Sequence, residues 1–205
     1  MTNKIKYICF YLPQFHEIKE NNKWWGKGFT EWTNVKGAMS LFKGHYQPRI
    51  PKNENYYDLS RVSDIKAQFK EAKINNIYGF CFYHYWFSGK LLLERPAELL
   101  LKNKEIDGNF CFSWANETWA RTWNGQDKNV LIKQGYGDRE DWIKHINYLM
   151  DFFKDDRYIK IDNKPVLLIY NSHKIEKLDK MLSVWNVELK KNNMETICFI
   201  DTLNS

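Results

Sequence analysis

Five short apolar runs punctuate the chain: Ile8-Cys9-Phe10-Tyr11, Phe80-Cys81-Phe82-Tyr83, Phe110-Cys111-Phe112-Ser113, Val166-Leu167-Leu168-Ile169-Tyr170 and Ile197-Cys198-Phe199-Ile200. Each is continuous rather than alternating and rich in β-branched or aromatic residues. That is the pattern of a strand covered on both faces, hence of a parallel sheet. Four of the runs repeat one motif around a cysteine, as equivalent strands of a symmetric sheet would. Between them the apolar period lengthens to that of a helix. Residues 64–74 place Ile65, Phe69 and Ala72 on one face, with Ser63 or Asp64 as the cap. Residues 95–102 begin Arg-Pro and run into leucines. Residues 138–153 space Trp142, Ile146, Leu149, Met150 and Phe153 helically behind an Asp138 cap, and residues 175–190 do the same with Leu178, Leu182, Trp185 and Leu189. Strand and helix alternate, which predicts a parallel α/β architecture.

Such a sheet is either doubly wound or a barrel. No GxGxxG or GxxxxGK[ST] follows the first run, so the nucleotide-binding folds lack their fingerprint. Polar and aromatic residues instead gather just after each run: Gln14 and His16; His84 and Trp86; Trp114, Asn116 and Glu117; Asn171 and His173; Asp201. The C-terminal strand ends are where a (β/α)8 barrel builds its site. A whole barrel takes roughly 250 residues, and here five strands account for all 205. The expectation is a single barrel-type domain over residues 1–205, incomplete and short of roughly three βα units. Open sheet edges would follow.

Composition narrows the class. No apolar run approaches the ~20 residues of a membrane span. The apolar stretch at the start ends at Pro13, too short for a secretory signal. Both observations predict a cytoplasmic protein, or one peripheral to the inner membrane. The four cysteines form no CxxC pair and sit inside apolar runs, so they read as buried hydrophobes rather than zinc ligands. A net charge of +6 invites a nucleic-acid reading, but the lysines alternate with acids and Asn, and the densest basic spot is Lys190-Lys191. That is a solvated surface, and nucleic acid is set aside. The aromatic share of 17%, with 9 Trp, is the outlier. Trp24, Trp25, Trp32, Trp86, Trp114, Trp119 and Trp123 lie beside polar residues, as sugar-stacking platforms do.

Three segments carry the candidate chemistry. Ser113-Trp114-Ala115-Asn116-Glu117-Thr118-Trp119 sets a carboxylate beside an amide at a strand end. Glu117 can act as acid, base or nucleophile, Asn116 can hold a sugar hydroxyl, and Arg121 can bind an anionic group. The long first βα loop, Trp24 to Arg49, brings Trp25, Glu31, Trp32 and His45, with Glu31 a second carboxylate. At the end of the second run, alternation sends Tyr83 and Tyr85 one way and His84 and Trp86 the other, and one pair can line the barrel mouth. His16, His45 and His84 fall in such loops without HxH or HxxxH spacing, so no metal is expected.

The segments YLPQFHEIKENNKWWGKGFTEWTNV, GHYQPRIP, YGFCFYHYWFSGK and FSWANETWARTWNG, in this order, resemble the WbsX-type proteins. These are glycosyltransferases of bacterial surface polysaccharide loci, related to the glycoside hydrolase family 99 barrel. The likeness runs from about Tyr7 past Tyr170 and takes in DDRYIKIDNKPVLLIYN. It implies a (β/α)8 fold, and no motif in the chain requires a metal or organic cofactor. It implies a glycan, sugar-nucleotide or lipid-linked sugar substrate, and a place in O-antigen or capsule biosynthesis. Glu117 and Glu31 are the catalytic candidates. His16, Trp25, Trp32, His45, Tyr83, His84, Trp86, Trp114, Asn116 and Arg121 are the substrate-binding candidates. Family members carry a further Trp-Asn-Glu-Trp-x-Glu-Gly motif on a late strand, whose glutamates do the chemistry in the hydrolases. These 205 residues hold no such motif. Two readings therefore stand: a transferase or hydrolase domain, and a catalytically incomplete glycan-binding fragment that needs a partner chain for its missing strands.

Overall fold

The structure, a computed structural model, describes residues 5–121 and 129–202. Its elements in chain order are β1 (Tyr7–Tyr11), α1 (Lys19–Trp25), α2 (Glu31–Gly37), α3 (Val62–Ile74), β2 (Ile77–Phe87), β3 (Lys90–Leu92), α4 (Arg95–Lys102), β4 (Asn109–Trp114), β5 (Trp119–Ala120), β6 (Val130–Ile132), α5 (Arg139–Phe153), β7 (Lys160–Ile161), β8 (Lys164–Ile169), α6 (Leu178–Lys191) and β9 (Cys198–Asp201). All five apolar runs are strands. They pair in parallel as β1 to β2, β2 to β4, β4 to β8 and β8 to β9. Order across the sheet thus equals order along the chain. A doubly wound sheet reverses direction at a switch point; this one never does, so it winds one way, as a barrel does.

Register fixes which side chains meet which layer. Phe80, Phe82 and His84 lie opposite Phe110, Phe112 and Trp114, and all six share the face covered by helices. Phe69 of α3 packs on Phe80 and Phe82, and Phe152 of α5 packs on Phe110 and Phe112. Trp185 of α6 is fully buried beside Trp114. Each such side chain contributes about 1.5–3 kcal/mol through burial. Gly79 and Gly108 admit the close packing: a side chain on the first would strike the Asn109 carbonyl, and on the second the Phe69 ring. The opposite parity, with Cys81, Tyr83, Tyr85, Cys111 and Ser113, faces away from the helices. At the two edge strands that inner face is open, with Phe10 54% and Ile200 39% exposed.

Local signals explain the element ends. Asp138 caps α5, accepting from the Glu140 and Asp141 amides at 3.0 and 3.2 Å. Neither Ser63 nor Asp64 caps α3, which starts at Val62 with Arg61 before it; Asp64 instead accepts from the Asp58 amide at 2.8 Å. β7 and β8 form a hairpin whose two turn residues, Asp162 and Asn163, have φ of 50° and 62°, the left-handed pair such a short turn requires. Arg157 ties α4 to the sheet. It donates to the carbonyls of Leu100, Asn103 and Ile106 and ion-pairs with buried Asp155 at 2.8 Å. All four cysteines are free, but only Cys81 and Cys111 are buried; Cys9 and Cys198, on the edge strands, are half-buried.

Candidate functional site

The C-terminal ends of β1, β2 and β4, with α1 and α2, enclose a cleft of about 480 Å³. Gln14, Asn21, Trp25, Glu31, Tyr85, Glu117 and Trp119 line it. A smaller hollow of about 210 Å³ adjoins it, lined by Tyr83, Tyr85, Ala115, Glu117, Trp119 and Tyr170. Tyr85, Glu117 and Trp119 belong to both, so they form the ridge between two lobes. A more apolar groove of about 420 Å³ beside β1 is walled by Phe10, Phe15, Tyr57 and Phe80, with Gln68, Glu71 and Asn75 among its polar groups; it brings no two carboxyl groups together.

Glu31 is the first residue of α2. Thr30 caps that helix, and the Glu31 amide donates to the Gln14 carbonyl at 3.2 Å, pinning α2 to the end of β1. Burial raises the Glu31 carboxyl above its usual range, and a 3.2 Å hydrogen bond from Asn34 offsets that only in part. Tyr85 is buried against it. Burial, then the charges of Tyr83 and Glu31, hold its phenol well above the ordinary value. Glu117 stands on the loop after β4. It accepts from Asn171 at 3.0 Å and ion-pairs with Lys174 at 3.6 Å, and its side chain stays 47% exposed. The cleft therefore joins one carboxyl that burial keeps protonated to higher pH and one held by an amide and an ammonium. Environments that differ in this way suit two carboxyl groups to different tasks.

The other predicted residues divide by parity and depth. Tyr83 lines the smaller lobe, stacked on Phe10 at 5.4 Å. Trp25 walls the main cleft; the Arg121 guanidinium lies 5.3 Å from its ring and also donates to the Trp24 carbonyl. Arg121 thus braces the wall rather than lining the cleft. His84, Trp86 and Trp114 are corrected: all three point into the helix layer. His84 Nε2 meets His145 Nε2 at 2.8 Å, Trp86 stacks on His145 at 4.5 Å and donates to Asp141, and Trp114 lies between His145 and Trp185. None of the three lines the cleft or the smaller lobe.

Asn116 is fully buried and clasps the end of β8. Its Oδ1 accepts from the Asn171 amide and its Nδ2 donates to the Asn171 carbonyl, both at 2.8 Å. It positions the loop that carries Glu117 and does not face the cleft. Trp32 packs on Phe15 and Tyr57 and donates to the Tyr57 carbonyl at 2.8 Å, which anchors the first βα loop. His16 is 2% exposed. Burial lowers its pKa, and neighbouring Asp58 counteracts this only in part. His45 closes a surface turn, accepting from the Leu41 amide at 3.2 Å. Neither lines the cleft. Trp123 lies outside the described residues. Among the described residues no group of three His, Cys, Asp or Glu could hold a metal ion, and no helix is long and apolar enough to cross a membrane.

Three cleft residues, Tyr85, Trp119 and Asn21, were not among the site candidates, although the sequence paired Tyr85 with Tyr83 and placed Trp119 among the stacking tryptophans. Tyr85 shares the parity of Tyr83, so the alternation held that signal. Trp119 is the aromatic that closes the Ser113-to-Trp119 segment. Asn21 gave none, being one amide in a polar run. It is fully buried in α1, and neither amide atom has a partner among the described residues.

Fold and cleft together define a barrel-type α/β protein with an acidic, aromatic cleft at its C-terminal strand ends. The family model described as glycosyltransferase WbsX matches residues 7–205, and the chain belongs to that family, a family of glycan-active enzymes. The uncharacterized WxcX proteins of two Xanthomonas campestris pv. campestris strains are each 38% identical over 190 residues. That match takes in 93% of this chain and 27% of theirs, so the chain spans about a quarter of their length. Among solved structures, the GH99 endo-alpha-mannosidase from Bacteroides thetaiotaomicron aligns with 96% of this chain and 55% of its own at a TM-score of 0.54 and 14% identity. That likeness is one of fold, and it agrees with the one-way parallel winding.

Proposed function

We propose that this chain supplies the glycan-holding cleft, and a pair of carboxyl groups with different tasks, of an enzyme that transfers or cleaves a sugar in the assembly of a bacterial surface polysaccharide such as O-antigen or capsule. The observation that carries the reading is the meeting of Glu31 and Glu117 in one aromatic-walled cleft. Trp25, Trp119 and Tyr85 offer flat apolar faces for sugar rings. Glu31, its carboxyl raised by burial, is the group suited to give a proton to a departing oxygen. Glu117, fixed by Asn171 and Lys174, is suited to face the positive charge that develops on the sugar ring. The substrate is a glycan, sugar nucleotide or lipid-linked sugar, met at the cytoplasmic side. The open inner faces of β1 and β9 fit a sheet that further βα units close into a barrel.

The test is genetic. Glu31→Gln and Glu117→Gln are introduced separately into the full-length protein in its own host, and surface polysaccharide is compared by gel profile and sugar composition. Each variant should be made at wild-type level and abolish the same polysaccharide species as a gene deletion. An unchanged profile in both variants, when the deletion alters it, would remove the catalytic roles assigned here.

A further inference from the structure

Between Glu31 and Glu54 the chain has no acidic residue, while Lys36, Lys43, Arg49 and Lys52 all fall there. The same segment displays Met39, Leu41, Phe42, Tyr46 and Ile50 at 79%, 83%, 67%, 59% and 54% exposure. Scattered exposed apolar side chains are ordinary, but a cluster in one loop marks an interaction surface. The loop is built rather than loose. Ser40 donates to the His45 carbonyl at 2.6 Å, the Leu41 amide to His45 Nδ1 at 3.2 Å, and the His45 amide to the Phe42 carbonyl at 3.1 Å. The Phe42 and His45 rings stack at 4.7 Å. Gly44, at φ 86°, allows the reversal. The turn's polar groups are thus satisfied internally, and Leu41 and Phe42 are left standing at its tip.

We propose that this loop docks the protein on an anionic lipid bilayer. Leu41 and Phe42 enter the boundary between headgroups and acyl chains, and Lys43 and Arg49, backed by Lys36 and Lys52, meet the lipid phosphates. An apolar tip with Lys43 next in sequence, Arg49 over the exposed Tyr46 ring at 6.0 Å and no acid between them along the chain fits a charged fluid surface better than a folded partner. Each cation near an anionic leaflet raises partitioning about fivefold, and salt removes the gain. α2 carries Glu31 of the cleft at its start and leads into the loop at its end. The docking chemistry stands whatever the cleft holds.

The experiment is vesicle flotation of the full-length protein at low salt, on phosphatidylglycerol-containing vesicles and on pure phosphatidylcholine. The wild type should float with the anionic vesicles only and be released by high salt. The Leu41→Glu, Phe42→Glu double variant should lose at least tenfold in bound fraction with an unchanged melting curve. A Lys43→Gln, Arg49→Gln variant should be released at lower salt. A wild type that stays soluble with anionic vesicles, or a double variant that floats like the wild type, overturns the proposal. A polarity-sensitive dye on Leu41→Cys, read against wild type labelled in parallel, gives a second measure. Emission should shift to the blue only when anionic vesicles are added. A dye already shielded without lipid would mean that the rest of the protein, or a second copy, covers the loop, and docking on lipid would fail.

Discussion

The buried histidine pair makes this protein sensitive to mild acid, and the size of the effect follows from the geometry. His84 on β2 and His145 on α5 approach at 2.8 Å through their Nε2 atoms. One ring must donate and the other accept, so a proton on both Nε2 atoms is forbidden. Trp86, Trp114 and Trp185 surround His145, and Tyr148 covers His84. Burial pushes His84 down to about 3 and His145 well below its ordinary value, with the charge of His84 adding to the second. Both folded values lie below the unfolded one, near 6.5. The neutral pair's full contribution is therefore present above about pH 6.5 and is lost as pH falls toward the folded values.

At about pH 5 the unfolded chain gains roughly 2 kcal/mol per histidine by protonation that the folded chain forgoes, about 4 kcal/mol for the pair. Against a total of about 5–15 kcal/mol this is a large share. Denaturant unfolding, followed by Trp fluorescence at pH 7.5 and pH 5, measures it. The His84→Leu, His145→Leu double variant removes donor and acceptor together and should be nearly neutral at pH 7.5. Its stability should then fall about 4 kcal/mol less than the wild type's between the two pH values. His16, also lowered by burial, remains in both proteins and cancels. Parallel stability curves for the two proteins would refute the reasoning.

Trp86→Ala should cost about 3–5 kcal/mol of stability through its cavity, read as a lowered melting temperature; a glycan-affinity loss without a stability loss would contradict its burial. Arg157→Leu should cost about 3 kcal/mol, because it strips buried Asp155 of its bidentate partner and uncaps α4, and a denaturation midpoint within error of wild type would count against the network. Trp25→Ala should leave the midpoint near wild type while weakening binding of the surface glycan by tenfold or more in calorimetry, and equal affinity would remove the platform from the cleft.

Much of the fold was legible because it rests on period and composition. The five cysteine- and valine-type runs could only be covered strands, and the helical stretches between them named α3 through α6 to within a few residues. The additions were short. β3, β5, β6 and β7 are each two or three residues long, below the length at which alternation registers. α1 and α2 hide in the first βα loop because tertiary contacts, not an apolar stripe, hold them: the buried residue of α1 is Asn21, and α2 buries none.

The site was half legible for a reason that lies in β2. Alternation divides Tyr83 and Tyr85 from His84 and Trp86 with certainty, but says nothing of which pair faces the helices. Both pairs are aromatic and polar-tipped, so neither looks like core. The deciding residue is remote in sequence. His145, sixty-one positions on, puts its imidazole where His84 can bond to it and Trp86 can stack on it. Facing the other way, His84 would lose its partner and Trp86 its bond to Asp141. A buried polar atom left unpaired costs about 1–3 kcal/mol, and each of these side chains carries one. The parity of β2 is thus set by α5, four strands further along the chain, and with it the identity of the tyrosines that line the cleft beside Glu117.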